Sequence, residues 1–116
     1  MSVVGWSMTH NQASLGGAIR CMGSRIQITD SVFHANTADR NGGALSGMLC
    51  EMSVFTSVFS GNAAGTYDGL VEGSGRGGAI ALEPGSSSTL VSSKFVDNTA
   101  KTSGGAYSCH SCDGGI

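Results

Sequence analysis

The feature that most constrains this chain is an internal repeat. The stretch from Ser31 to Leu45 contains Phe33-His34-Ala35-Asn36 and then Gly42-Gly43-Ala44-Leu45. Recognisable copies carry Met8, Asn11 and Gly16-Gly17-Ala18-Ile19, then Phe59, Asn62 and Gly77-Gly78-Ala79-Ile80, then Phe95, Asn98 and Gly104-Gly105-Ala106-Tyr107. The Asn positions 11, 36, 62 and 98 are separated by 25, 26 and 36 residues, and the Gly-Gly pairs at 16, 42, 77 and 104 by 26, 35 and 27. A period near 26 lies in the solenoid range and is too short for paired helices of the 34-residue kind. Helix is also disfavoured by the 19 glycines, each costing about 1 kcal/mol relative to alanine inside a helix. The runs 25–29, 52–55 and 89–92 alternate or are β-branched, as short strands are. Strand and turn repeated every 26 residues, without hairpin signals, describe coils of a parallel β-helix.

Stacking one coil on the next about 4.8 Å away predicts columns of like side chains. Met8, Phe33, Phe59 and Phe95 form an inward column, in which each offset aromatic pair adds about 0.5–1.5 kcal/mol beyond burial. Asn11, Asn36, Asn62 and Asn98 form a second, at a corner where Asn tolerates the left-handed conformation and its amide both donates and accepts. Such Asn ladders stabilise cross-β packing. These are structural roles.

At 116 residues the chain reads as one β-helix domain, 1–116, stabilised coil by coil through nearest-neighbour contacts. Between Asn62 and Gly77 the usual connection of about five residues grows to an inserted loop, 63–76. Insertions in repeat proteins map to one face, often the binding face, which makes Tyr67, Asp68, Glu72 and Arg76 the candidate binding loop. Charged residues are 12% and the net charge is −2, with no Lys/Arg stripe, so nucleic acid is not an expected partner. No apolar run approaches the length of a membrane span, and the first residues lack the basic region of a secretory signal. By register, Met1 falls on Ile26 and Ile116 on Ile28, so both ends reach nearly the same angular position without a polar cap. The expectation is a segment of a longer solenoid, or a unit that stacks head to tail through open ends.

Four cysteines, Cys21, Cys50, Cys109 and Cys112, are disulfide candidates. Cys21 and Cys50 lie in adjacent coils, and Cys109 and Cys112 could close on each other; three connectivities are open. Bridges of this kind contribute about 2–4 kcal/mol each. A zinc site would need ligands beyond Cys109, His110 and Cys112, so no metal and no cofactor is expected. His10 and His34 fall inside the corners and point to solvent. Residues 73–78 match a dinucleotide-type glycine pattern only formally, since no helix follows. The acids Asp30, Asp39, Glu51, Asp68, Glu72, Glu83, Asp97 and Asp113 occupy different offsets and form none of the carboxylate pairs that sugar hydrolysis needs. An enzyme is therefore the weaker reading.

The alternation of Gly-Gly-Ala-Ile/Leu with Phe-x-x-Asn, at Gly16–Ile19, Phe33–Asn36, Gly42–Leu45, Phe59–Asn62, Gly77–Ile80, Phe95–Asn98 and Gly104–Tyr107, resembles the repeats of the chlamydial polymorphic outer-membrane protein family. The resemblance covers nearly the whole chain. It implies a right-handed parallel β-helix, here of about four coils, and an adhesive role on a cell surface or in the extracellular space. The expected function is a structural and adhesive segment that presents loops and contacts other protein chains, host surfaces or glycans. The alternative is a filament subunit that stacks copies of itself head to tail. A pectin-lyase-like carbohydrate enzyme ranks below both.

Overall fold

The computed structural model describes residues 2–65, 75–101 and 104–108, with the backbone alone of 109 and 113–115. Every regular element among the described residues is a strand of two to five residues. The first coil runs through β1 (Ser2–Val4), β2 (Ser7–Thr9), β3 (Gln12–Leu15) and β4 (Ile19–Met22). The second runs through β5 (Arg25–Thr29), β6 (Val32–His34), β7 (Thr37–Asn41) and β8 (Leu45–Met48). The third has β9 (Glu51–Phe55), β10 (Val58–Ser60), β11 (Ala63–Ala64) and β12 (Ile80–Leu82). The fourth has β13 (Ser87–Val91), β14 (Lys94–Val96), β15 (Thr99–Ala100) and β16 (Tyr107–Cys109), and β17 (Asp113–Gly115) begins another turn.

Every fourth strand stacks on its equivalent, so the coil has four walls: β1-β5-β9-β13-β17, β2-β6-β10-β14, β3-β7-β11-β15 and β4-β8-β12-β16. All pairings are parallel, with partners such as Phe59 against Phe33 and Phe95, and Ile80 against Leu45 and Tyr107. This is a parallel β-helix of about four coils. The sequence exposes strands chiefly on the first wall, because period-two alternation needs four residues or more to register. The second wall has only three-residue strands and escapes that test.

Each corner is a column of residues with positive φ. Gly5, Asp30, Thr56 and Ser92 turn the first corner, His10, Ala35, Gly61 and Asp97 the second, Gly16, Gly42, Gly77 and Gly104 the third, and Gly23, Leu49 and Gly85 the fourth. At the second corner the left-handed residue is the one before each Asn, which corrects the expectation that Asn itself takes it. The bend turns the next side chain inward, and Asn36 and Asn62 are fully buried. The third corner is also a place of close approach. A Cβ on Gly43 would stand 2.0 Å from the carbonyl oxygen of Gly78 and 2.6 Å from the nitrogen of Ala63.

The core is a set of columns running along the stack. Val3, Ile28 and Val54 make one on the first wall, with Ile26 and Met52 beside it; Phe33 and Phe59, Ala38 and Ala64, and Leu45 and Ile80 supply the other three walls. Each large aliphatic or aromatic side chain buried this way contributes about 1.5–3 kcal/mol.

Candidate functional site

The Asn column is a directional ladder. The Asn11 N–H and Nδ2 both donate to Asn36 Oδ1 at 3.0 Å. The same pair of bonds joins Asn36 to Asn62 Oδ1 at 2.9 and 3.1 Å, and Asn62 to Asn98 Oδ1 at 3.0 and 2.9 Å. The second Nδ2 hydrogen reaches back to the preceding coil, from Asn36 to the Met8 carbonyl, from Asn62 to that of Phe33 and from Asn98 to that of Phe59. A single side chain thus satisfies the backbone N–H of the corner below it while being satisfied itself, which is the condition for burying an amide without penalty.

Beside it stands the aromatic column. Phe33 and Phe59 stack with centroids 4.8 Å apart and planes 5° from parallel, and Phe59 and Phe95 at 4.9 Å and 6°. Met8 sits in register below Phe33 and is half-buried, as is Phe95. A further ladder went unread in the sequence. Trp6 N–H donates to Ser31 Oγ, Ser31 N–H to Ser57 Oγ and Ser57 N–H to Ser93 Oγ, at 3.2–3.3 Å. Each hydroxyl in turn donates to the carbonyl two residues before it, of Thr29, Phe55 or Val91. The signal was present, since a serine stands two positions before Phe33, Phe59 and Phe95.

The connection after Asn62 begins as regular structure. Ala63 and Ala64 are β11, in register with Thr37 and Ala38. Arg76 stands where Asn41 stands one coil below: Asn41 O accepts from Gly16 N–H, and Arg76 O from Gly42 N–H. The extra length of the predicted loop therefore lies between these points, narrower than 63–76. Asn41 pins its downstream stem, with Oδ1 accepting from Arg76 N–H at 2.9 Å and Nδ2 donating to Glu83 Oε1 at 3.1 Å. Tyr67, Asp68 and Glu72 lie outside the described residues.

Cys21 and Cys50 form a disulfide between adjacent coils, with Cα atoms 5.9 Å apart. Cys21 faces Gly47 in the register. A Cβ on Gly47 would lie 2.8 Å from Leu82 Cδ2 and 3.2 Å from Cys50 Cβ, so a side chain there would crowd Leu82 and the Cys50 end of the bridge. Cys112 and the side chain of Cys109 lie outside the described residues.

The outer surface is less polar than a solvated sheet face. Val4 and Val91 share a column with Thr29 and Phe55 on the first wall, next to Trp6 and Val32 at its corner; Met22, Met48 and Leu49 make a second stripe at the fourth corner. Thr29 and Phe55 are half-buried, and the other seven are 40% to 63% exposed, in a position where antiparallel sheets usually turn polar residues outward. Arg25 and Glu51 form an exposed ion pair at 3.1 Å on the rim of a shallow hollow lined by Gly23, Ser24, Leu49 and Ser87. Among the described residues no three His, Cys, Asp or Glu side chains converge on one point.

The Chlamydia polymorphic membrane protein repeat matches residues 56–83, which span the Thr56 corner, Phe59, Asn62 and the Gly77–Ile80 motif up to Glu83. The match covers about a quarter of the chain and spans three of the four walls of the third coil, β10 to β12. No curated protein and no solved structure matches the chain.

Proposed function

We propose that this chain is a structural and adhesive β-helical segment of a cell-surface or extracellular protein, which presents loops and contacts other chains or surfaces. The observation that carries the reading is a division of labour between the inner and outer faces of the first wall and its corner with the second. Inward positions are taken up by stacking columns, while outward positions carry exposed apolar side chains, Trp6, Val4, Val32 and Val91 among them. Contiguous exposed apolar surface marks contact sites on soluble folds. The match to a repeat of membrane proteins supports a surface location, and the insertion rejoins the stack at Arg76, whose N–H donates to Asn41 Oδ1.

The test is adhesion of beads coated with the chain to cells and to a glycan array. Deleting residues 66–75 leaves four residues between Asn62 and Gly77, about the number in the other coils, so the thermal transition should stay while loop-borne binding goes. The combined Trp6→Ser and Val91→Ser variant should weaken whatever binding remains. Adhesion untouched by both changes overturns the reading, and turnover in a polysaccharide hydrolysis screen replaces it with an enzyme.

A second reading, a filament subunit, draws support from the polarity of the ladders. The Asn and Ser columns run the same way, each backbone N–H donating toward the next coil. A further coil, from a longer chain or another copy, continues them only head to tail, a heterologous contact that does not close. Electron microscopy of the purified chain at micromolar concentration distinguishes the two: long thin filaments favour polymerisation, compact particles the surface segment.

A further inference from the structure

We propose that His10 and His34 form a two-histidine site for a divalent transition-metal ion, zinc or nickel, bridging the first and second coils. His34 ends β6 on the second wall, and His10 follows β2 at the corner of the coil below. β2 and β6 pair Thr9 with His34, and the His10 N–H donates to the His34 carbonyl at 3.1 Å. Both side chains are exposed, and their ring centroids lie 6.0 Å apart with the planes at 90°. With zinc-to-nitrogen distances of about 2.0–2.1 Å, two imidazoles on one ion hold their centroids about 5–6 Å apart. Small rotations of exposed side chains, which occur in picoseconds to nanoseconds, complete the approach.

A third residue prepares the donor atom. His34 Nδ1 lies 2.8 Å from Ser60 Oγ on the third coil. A methyl on Gly61 would stand 3.6 Å from His34 Cε1 and 3.8 Å from Nδ1, so that edge of the ring faces the third coil. Cδ2 is then the ring atom on the side of His10, and Nε2, bonded to Cε1, points outward from the stack, where an ion between the two rings is reached by rotation of the exposed His10 side chain. When Nδ1–H donates to Ser60, Nε2 carries the lone pair, the arrangement by which an outer partner fixes the tautomer of a metal-ligating histidine. Imidazole nitrogen suits zinc, nickel and copper, and water completes the coordination of an ion held by two protein ligands at the surface.

The site sits on the side of the stack away from ladder and core, so its variants keep the fold. His10→Asn suits the left-handed backbone at that position, where φ is 56°, because Asn tolerates it. His34→Thr restores the residue type of Thr9, its register partner in the first coil. Zinc chloride and nickel chloride are titrated into the oxidised chain by calorimetry, and thermal melts are run with zinc and with chelator. The native chain should bind one ion and melt higher with it, since a ligand of the folded state alone stabilises by mass action. His10→Asn and His34→Thr should each weaken binding at least about tenfold, and Ser60→Ala about tenfold, the lower end of the effect of removing an outer partner. His110→Ala should bind as the native chain does. No binding by the native chain overturns the proposal. So does binding that survives both His10→Asn and His34→Thr, or that disappears in His110→Ala.

Discussion

Truncating Asn62 to alanine tests the ladder most directly, because the coordinates say which groups are left without partners. The side chain makes four hydrogen bonds: Oδ1 accepts from the N–H and Nδ2 of Asn36, and Nδ2 donates to Phe33 O and Asn98 Oδ1. After truncation Asn36 Nδ2 keeps the Met8 carbonyl, and Asn98 Oδ1 keeps the Asn62 N–H. The Asn36 N–H, in a residue with no exposed surface, loses the acceptor that holds it. An orphaned buried donor costs about 1–3 kcal/mol, and the three remaining bonds add about 0.5 kcal/mol each, giving about 2.5–4.5 kcal/mol in all. Asn11→Ala is the internal control. That residue is exposed, its backbone still donates to Asn36 Oδ1, and only the Nδ2 bond goes, for about 0.5–1 kcal/mol. Urea unfolding with the disulfide intact reads both as shifts of midpoint at constant slope. Equal losses in the two variants, or less than about 1 kcal/mol for Asn62→Ala, refute the reasoning, because directional satisfaction of buried donors predicts a steep difference.

Gly43→Ala should prevent folding or cost several kcal/mol in a melt, since its Cβ meets backbone atoms at 2.0 and 2.6 Å. Gly23→Ala has open space around it and pays only for its φ of 59°, about 1–2 kcal/mol. Ala35→Gly relieves a left-handed alanine with φ of 55° and should raise the melting temperature, by about 1 kcal/mol of stability; a lower one counts against strain at that corner. Replacing Cys21 and Cys50 together by alanine opens a loop with a sequence separation of 29 and should cost about 3–4 kcal/mol by chain entropy. A reductant-insensitive melt equal to that of the native chain would show that the bridge contributes nothing.

The parts of the fold legible in the sequence are those in which a column repeats one residue type. Phe33, Phe59 and Phe95, or Asn36, Asn62 and Asn98, can be aligned without coordinates, and the register follows from them even across the long third connection. The third corner was legible through its glycine in every coil, Gly16, Gly42, Gly77 and Gly104, but the second was not, because there the left-handed position has no common side chain: His10, Ala35, Gly61 and Asp97 share a backbone angle and nothing else. The Ser31–Ser57–Ser93 ladder was hidden by the abundance of serine elsewhere and by Trp6, which donates through its backbone at the fourth rung. The pairing of Cys21 with Cys50 was one of three connectivities open from spacing alone, and the register that sets Cys21 against Gly47 brings the two Cα atoms to 5.9 Å. The outward apolar stripes were equally hidden. A valine at a half-buried strand position looks the same whichever way it faces, and one residue of register decides between core and surface.

The Cys21–Cys50 bridge has a mechanical consequence. A chain held at its two ends and pulled yields by peeling coils from the stack, and each coil of 26 residues releases up to about 85–95 Å of slack. The bridge takes its enclosed segment, with a sequence separation of 29, out of the length that tension can draw upon, a difference of about 100 Å. Under load the single coil enclosed between Cys21 and Cys50 stays closed, while the residues before Cys21 and the coils beyond Cys50 unwind. The same stack is thus an extensible shock absorber on either side of the bridge and a fixed link across it, with oxidation setting where one ends and the other begins.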